Sequence, residues 1–135
     1  MKRPVNAWAI ASAICVIGIV LFVHFLPLCE EEVVSEQTSP DGKYVAVLMT
    51  RNCGATTGFV DHVNLKLVGS KLTQNFLTGT IKTDEVFAAE KKMAAGVGFR
   101  WVGPRILEID DVPQDGRRQQ SWRDVMIQFA PWSKK

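Results

Sequence analysis

The stretch SPDGKYVAVLMTRNCGATTGFVDHVNLKLV, Ser39 to Val68, contains a turn, a strand-like run, a polar loop and a second strand-like run. In Ser39-Pro40-Asp41-Gly42, proline presets φ for a first turn position and glycine suits the left-handed position that closes it. Lys43 to Thr50 and Phe59 to Val68 are rich in β-branched and aromatic residues and partly alternate apolar with polar, so each reads as a strand. Between them, Arg51 to Phe59 is a glycine–threonine loop. Gly54 and Gly58 are positions free to take positive φ, and the threonine hydroxyls are placed to bond nearby backbone. One reading is a strand connection that satisfies its own polar groups. The other is a nest for an anion or partner, built from Arg51, Asn52, Gly54, Thr56 and Thr57, with Arg51 supplying charge.

Working outward from the turn, a three-residue loop of Pro40, Asp41 and Gly42 puts Ser39 opposite Lys43. Stepping away pair by pair then brings Cys29 opposite Cys53. Paired strand residues have Cα atoms about 4.5 to 5.5 Å apart, which is within disulfide reach. The spacing predicts a Cys29–Cys53 bond, and closing a loop of roughly 25 residues is worth on the order of 3 kcal/mol. In that case Cys53 is structural. The Glu30 to Glu32 run argues the other way, since its charges favour a frayed strand end.

Further toward the N-terminus, Ala7 to Leu28 contains no Asp, Glu, Lys or Arg. As a helix its length is about 33 Å at roughly 1.5 Å per residue, enough to span a hydrocarbon core. Lys2 and Arg3 precede it and Glu30, Glu31 and Glu32 follow. The expected topology is therefore a cytoplasmic N-terminus and a transmembrane anchor over residues 1–29, with an exported β-rich domain over 30–135 in the periplasm or extracytoplasmic space. A cleaved signal peptide fits less well, because the small-residue sites around Ala9, Ala11 and Ala13 precede most of the apolar run. Lipidation at Cys29 is disfavoured by Leu28, where a small residue belongs. His24 and Cys15 inside the run have no charged partner with which to relay protons.

Of the 16 Lys and Arg residues, two are Lys2 and Arg3, and the remaining 14 match the 14 Asp and Glu residues, all of which lie from Glu30 onward. The net charge of +2 is thus a topology signal, and nothing supports nucleic-acid binding. Arg117, Arg118 and Arg123, flanked by Asp115 and Asp124, read as a solvated strand end or turn. From Cys29 onward the chain has one His and two Cys at no ligand spacing, so no metal and no cofactor is expected. Asp110 and Asp111 are adjacent on a strand-like run and point to opposite faces.

Beyond Val68, Leu72 to Lys82 shows no clear period. Thr83 to Ala95 admits either a helix capped by Thr83 or a strand through Val86 and Phe87. Val97, Phe99 and Trp101 alternate up to a Gly103-Pro104 turn, and Ile106, Leu107 and Ile109 return from it as a second hairpin. A last strand runs from Ser121 to Phe129. The expected fold is mainly β: a small antiparallel domain of about five or six strands behind the helix. Its expected core draws on Val45, Val47, Val63, Leu65, Leu67, Phe99, Trp101, Leu107, Ile109, Val125, Ile127 and Phe129.

The Ser39-Pro40-Asp41-Gly42-Lys43 turn, the Arg51-x-Cys53-Gly54-Ala55-Thr56-Thr57-Gly58-Phe59 loop and the Arg100-Trp101 hairpin together resemble a family of small, uncharacterised bacterial envelope proteins with a short exported domain behind an N-terminal hydrophobic segment. The resemblance covers most of the exported part. It implies location and architecture, a strand at Val86 to Ala89, and often Asp where this chain has Asn52. Ser39 to Val47 is also similar to a β-propeller strand motif, but a single copy builds no propeller. Three functions follow as expectations. The first is a membrane-anchored binding module for an envelope protein partner, with no catalysis. The second is an accessory subunit whose helix docks on a larger membrane complex through Ala7, Ala9, Ala11, Ala13 and Gly18. The third is an enzyme with Cys53 as nucleophile and His62 as base.

Overall fold

The structure, a computed structural model, describes residues 6–24, 29–54, 57–75, 78–81, 84–91, 96–112 and 115–131. The apolar N-terminal run forms helix α1, Ala7–His24. Large side chains on all sides of it, among them Trp8, Ile14, Ile17, Val20 and Phe22, are exposed. Its 18 residues extend about 27 Å at 1.5 Å each, short of a core about 30 Å thick. Among the described residues no helix is long and apolar enough to cross a membrane, and 25–28 lie outside them.

Nine strands follow among the described residues, more than the five or six expected, and two of them have only two residues. They are β1 Glu30–Thr38, β2 Tyr44–Asn52, β3 Val60–Leu67, β4 Glu85–Glu90, β5 Gly98–Gly103, β6 Ile106–Val112, β7 Arg117–Arg118, β8 Ser121–Trp122 and β9 Val125–Pro131. One sheet has the order β1-β2-β3-β4-β7, antiparallel throughout, and the other β5-β6-β9-β8. The all-antiparallel expectation fails at one pair, because β6 and β9 run parallel. After β6 the chain crosses to the first sheet as β7, then returns as β8 and β9. The expected strand from Ser121 to Phe129 is split by a tight turn at Arg123 and Asp124, where Arg123 takes φ 52°. Within the segment Thr83 to Ala95 the described part forms a strand, β4 at Glu85–Glu90, while 83 and 92–95 lie outside the described residues.

The two sheets enclose one core. Tyr44, Ala46 and Leu48 of β2, Val63 and Leu65 of β3, and Phe87 of β4 meet Leu107, Ile109, Val125 and Ile127 of the second sheet. Edge-to-face packing of Tyr44 on Trp122, with ring centroids 5.9 Å apart, joins the layers near the turns. Of the expected core, Phe99, Trp101 and Phe129 are only partly buried, and Leu67, on the last position of β3, is exposed.

The other face of the first sheet is covered as well. Val45, Val47 and Met49 pack against Ile81 and Leu72, which belong to the segment that showed no period. Eight of the nine residues of β2 are therefore buried, on both faces of the strand. This second layer shields that face of the sheet from water.

The first hairpin departs from the expected count and then recovers it. Its loop has four residues, because Ser39 N donates to Tyr44 O and Thr38 pairs with Val45. Gly42, at φ 70°, occupies the left-handed position, and the Ser39 hydroxyl accepts from Tyr44 N. A bulge between Val33 and Ser35 then absorbs one residue, so that Glu31 faces Arg51 and Glu30 faces Asn52. Cys29 and Cys53 are disulfide-bonded, with Cα atoms 4.0 Å apart.

Candidate functional site

Strand alternation puts Glu31 of β1, Arg51 of β2, and His62 and Asn64 of β3 on the face covered by Ile81, with Glu85 beside them. Charged side chains almost never bury without partners, and here the partners are one another. The Glu31 carboxylate accepts from Arg51 Nε at 2.7 Å and from the Ile81 backbone N–H at 3.0 Å through Oε1. Its Oε2 accepts from His62 Nε2 at 2.5 Å. On the far side, Arg51 Nη2 donates to Ile81 O at 2.9 Å and lies 3.4 Å from Glu85 Oε2. His62 Nδ1 meets Asn64 Oδ1 at 3.0 Å and lies 3.6 Å from that same Glu85 oxygen. Arg117, on β7, closes the rim by donating to Glu85 Oε1 at 3.3 Å.

The His62 side chain is wholly buried, and the Glu31 and Glu85 side chains are 2% and 4% exposed. Both ring nitrogens of His62 face oxygen acceptors. The imidazolium form donates to both, whereas a neutral tautomer donates to only one. Among the described residues no buried side-chain nitrogen or oxygen is left without a partner.

Burial opposes ionisation of Glu31, but hydrogen bonds from Arg51 and Ile81 and the charge of His62 outweigh it, holding its pKa below the ordinary value of 4.5. A group whose folded pKa is lowered contributes stability above its unfolded pKa and loses it as pH falls through the folded value. The stability difference between wild type and Glu31→Gln is thus expected to be fully present above about pH 4.5 and to shrink steadily below it. Urea midpoints of both proteins from pH 7 to pH 2 check this, and a constant difference would contradict it.

The structure separates Arg51 from the other loop residues expected to bind. Arg51 is 8% exposed and committed to the buried cluster, so it supplies no charge to a surface nest. Asn52 Oδ1 accepts from Gly54 N at 3.0 Å, and both the hydroxyl and the N–H of Thr57 bond to Gly54 O. These contacts match the self-satisfying turn. Gly54 takes φ 100°, while Gly58 stays outside the left-handed region and lies close against the Glu90 carboxylate. Thr56 lies outside the described residues. Gly54, Thr57 and Phe59 remain exposed.

The Cys53–His62 pairing of the enzyme reading does not form. Cys53 is bonded to Cys29, and the His62 ring faces Glu31 and Asn64. Among the described residues no group of three or more His, Cys, Asp and Glu is arranged to hold a metal ion. The arginine cluster is spread out. Arg117 meets Glu85, Arg118 lies over the Phe129 ring, and Arg123 stacks 4.9 Å from the centre of Trp122.

A second polar group joins the three turns at the opposite end of the sheets. Asp124 accepts from both the Tyr44 hydroxyl and Arg105, and the bond from Tyr44 is the leading reason its carboxyl sits below the usual range.

The same count that paired Cys29 with Cys53 also places Glu31 opposite Arg51, an opposite-charge cross-strand pair. That signal was enough to find half of the cluster. Glu85 and Ile81 had no such signal, because their approach depends on how β4 and the preceding segment fold over the sheet. No family model, curated protein or solved structure matches the chain.

Proposed function

We propose that the protein is a membrane-tethered, extracytoplasmic binding module without catalysis. The observation that carries this is an apolar helix exposed on every side, followed within a few residues of sequence by a β domain closed by a disulfide. A helix that is apolar all round belongs in a large protein core or in lipid, and this domain offers it no such core. The apolar sequence continues past His24 to Leu28, lengthening the segment available to a bilayer. The disulfide supports an oxidising compartment. The buried acids and the histidine are used up in mutual contacts, which favours a rigid scaffold that presents loops over a site doing acid–base work. The surface offered for binding is made by Gly54, Thr57 and Phe59, which are exposed between β2 and β3, and the partner class is an envelope protein.

Alkaline carbonate extraction of membranes from expressing bacteria tests the tether. The full chain is expected to stay with the membrane and to yield the oxidised Cys29–Cys53 peptide, while a chain lacking residues 1–28 is released. Release of the full chain, or free thiols at both cysteines, overturns the reading.

A further inference from the structure

We propose that Arg51 Nε, His62 Nε2 and the Ile81 N–H form a carboxylate-binding site, which the chain fills with its own Glu31. Its three donors come from β2, β3 and the segment ahead of β4, and they converge on a single carboxylate at 2.7, 2.5 and 3.0 Å. Each side-chain donor is held from behind without help from Glu31. Arg51 Nη2 is tied to Ile81 O and Glu85, and His62 Nδ1 to Asn64. The site is therefore fixed by the body of the domain. Two charge-assisted donors and a backbone N–H around one anion are a recurrent way of binding carboxylates in proteins.

The occupant is the removable part. β1 is an edge strand, and its burial pattern shows Glu31 as the single residue of the nine that is not exposed. What keeps that end of the strand in place is the β2 ladder and the Cys29–Cys53 bond two residues away. If β1 peels back, the vacated site keeps the Arg51 guanidinium and the His62 imidazole, with Glu85 as the nearest carboxylate among the described residues. The ligand class is a carboxylate, either free or carried on an acidic strand that takes the place of β1.

The test uses the full chain in detergent micelles with Glu31→Ala, which removes the atoms of one acetate molecule. At constant ionic strength and pH 7, acetate is expected to raise the thermal midpoint of Glu31→Ala saturably, as a native-state ligand does, while chloride does not. Glu31→Gln, whose amide fills the space, and wild type are expected to show no acetate-specific shift. If Glu31→Ala fails to fold, refolding yield in acetate against chloride reads the same point.

A second arm adds a synthetic peptide of residues 30–38 to reduced Glu31→Ala. Restoration at a tenfold or more lower concentration than acetate, lost when the peptide's Glu31 is alanine, assigns the site to strand-borne carboxylates. Restoration by acetate alone assigns it to free ones. Equal effects of acetate and chloride on Glu31→Ala together with no effect of the peptide, or an equal acetate shift in wild type, would overturn the proposal. None of these readouts depends on a membrane.

Discussion

Replacing Arg51 by alanine is expected to destabilise the β domain by about 3–5 kcal/mol, the cost of stripping one partner from a buried ion cluster. The guanidinium serves Glu31, the Ile81 carbonyl and Glu85 together, and its loss leaves two carboxylates facing each other across His62 behind a dry layer. Against a typical total of 5–15 kcal/mol, this removes a large share of the stability of the fold. Arg51→Lys is expected to recover little. An ammonium cannot reproduce the spread of donors with which Arg51 reaches Glu31 through Nε and Ile81 O through Nη2. Thr57→Ala, on the exposed turn, is expected to change stability by no more than about 0.5 kcal/mol. Urea denaturation of the three variants checks the order. A loss below about 1 kcal/mol for Arg51→Ala would mean the cluster is not closed as described. The contrast also decides how the loop can be probed. Thr57 and Phe59 report on surface binding, whereas any phenotype of Arg51→Ala reports on folding first.

Local chemistry was legible in the sequence wherever it acts through the backbone next in line. Ser39-Pro40-Asp41-Gly42 announced its turn, and alternation announced β5 and β6. The disulfide pairing follows from the sequence even though the observed turn is one residue longer than the Pro40-Asp41-Gly42 loop. The bulge at Val34 makes up that residue, and a bulge at an exposed valine leaves no mark in composition. Non-local choices were not legible. Nothing in Leu107 or Ile127 tells that their strands run parallel, since that follows from the chain's detour through β7. Leu72 and Ile81 carry no period because they cover the sheet from irregular backbone, so the second buried face of β2 went unseen. The cluster was hidden for the same reason. Glu31, His62 and Glu85 look like solvated strand residues until the covering layer is in place, and Arg51, written beside a glycine–threonine loop, looked like part of it.

Removing the disulfide by Cys29→Ser with Cys53→Ser is expected to cost about 3 kcal/mol, because the two residues close a loop of 24 positions whose freedom returns to the unfolded chain. The native state adds a second effect that the loop estimate omits. Glu31 lies two residues from one cysteine and Arg51 two residues from the other, so the bond clamps the strand ends that bring this pair together. Without it, the first residues of β1 are held by the ladder to β2 and by Glu31 itself. The end is then expected to fray, and a carboxylate that is docked for less of the time contributes less. The Glu31→Gln penalty, about 1.5–3 kcal/mol for losing charge-assisted hydrogen bonds, is therefore expected to be smaller in the serine background than in the oxidised protein. Contacting groups couple by 0.5–3 kcal/mol where independent ones add within about 0.5, so a double-mutant cycle from urea midpoints resolves the two cases. Coupling above 0.5 kcal/mol would show that the bond and the carboxylate hold the same strand end. Additivity would show that the β1–β2 ladder positions Glu31 unaided, and that the disulfide acts on the unfolded chain alone.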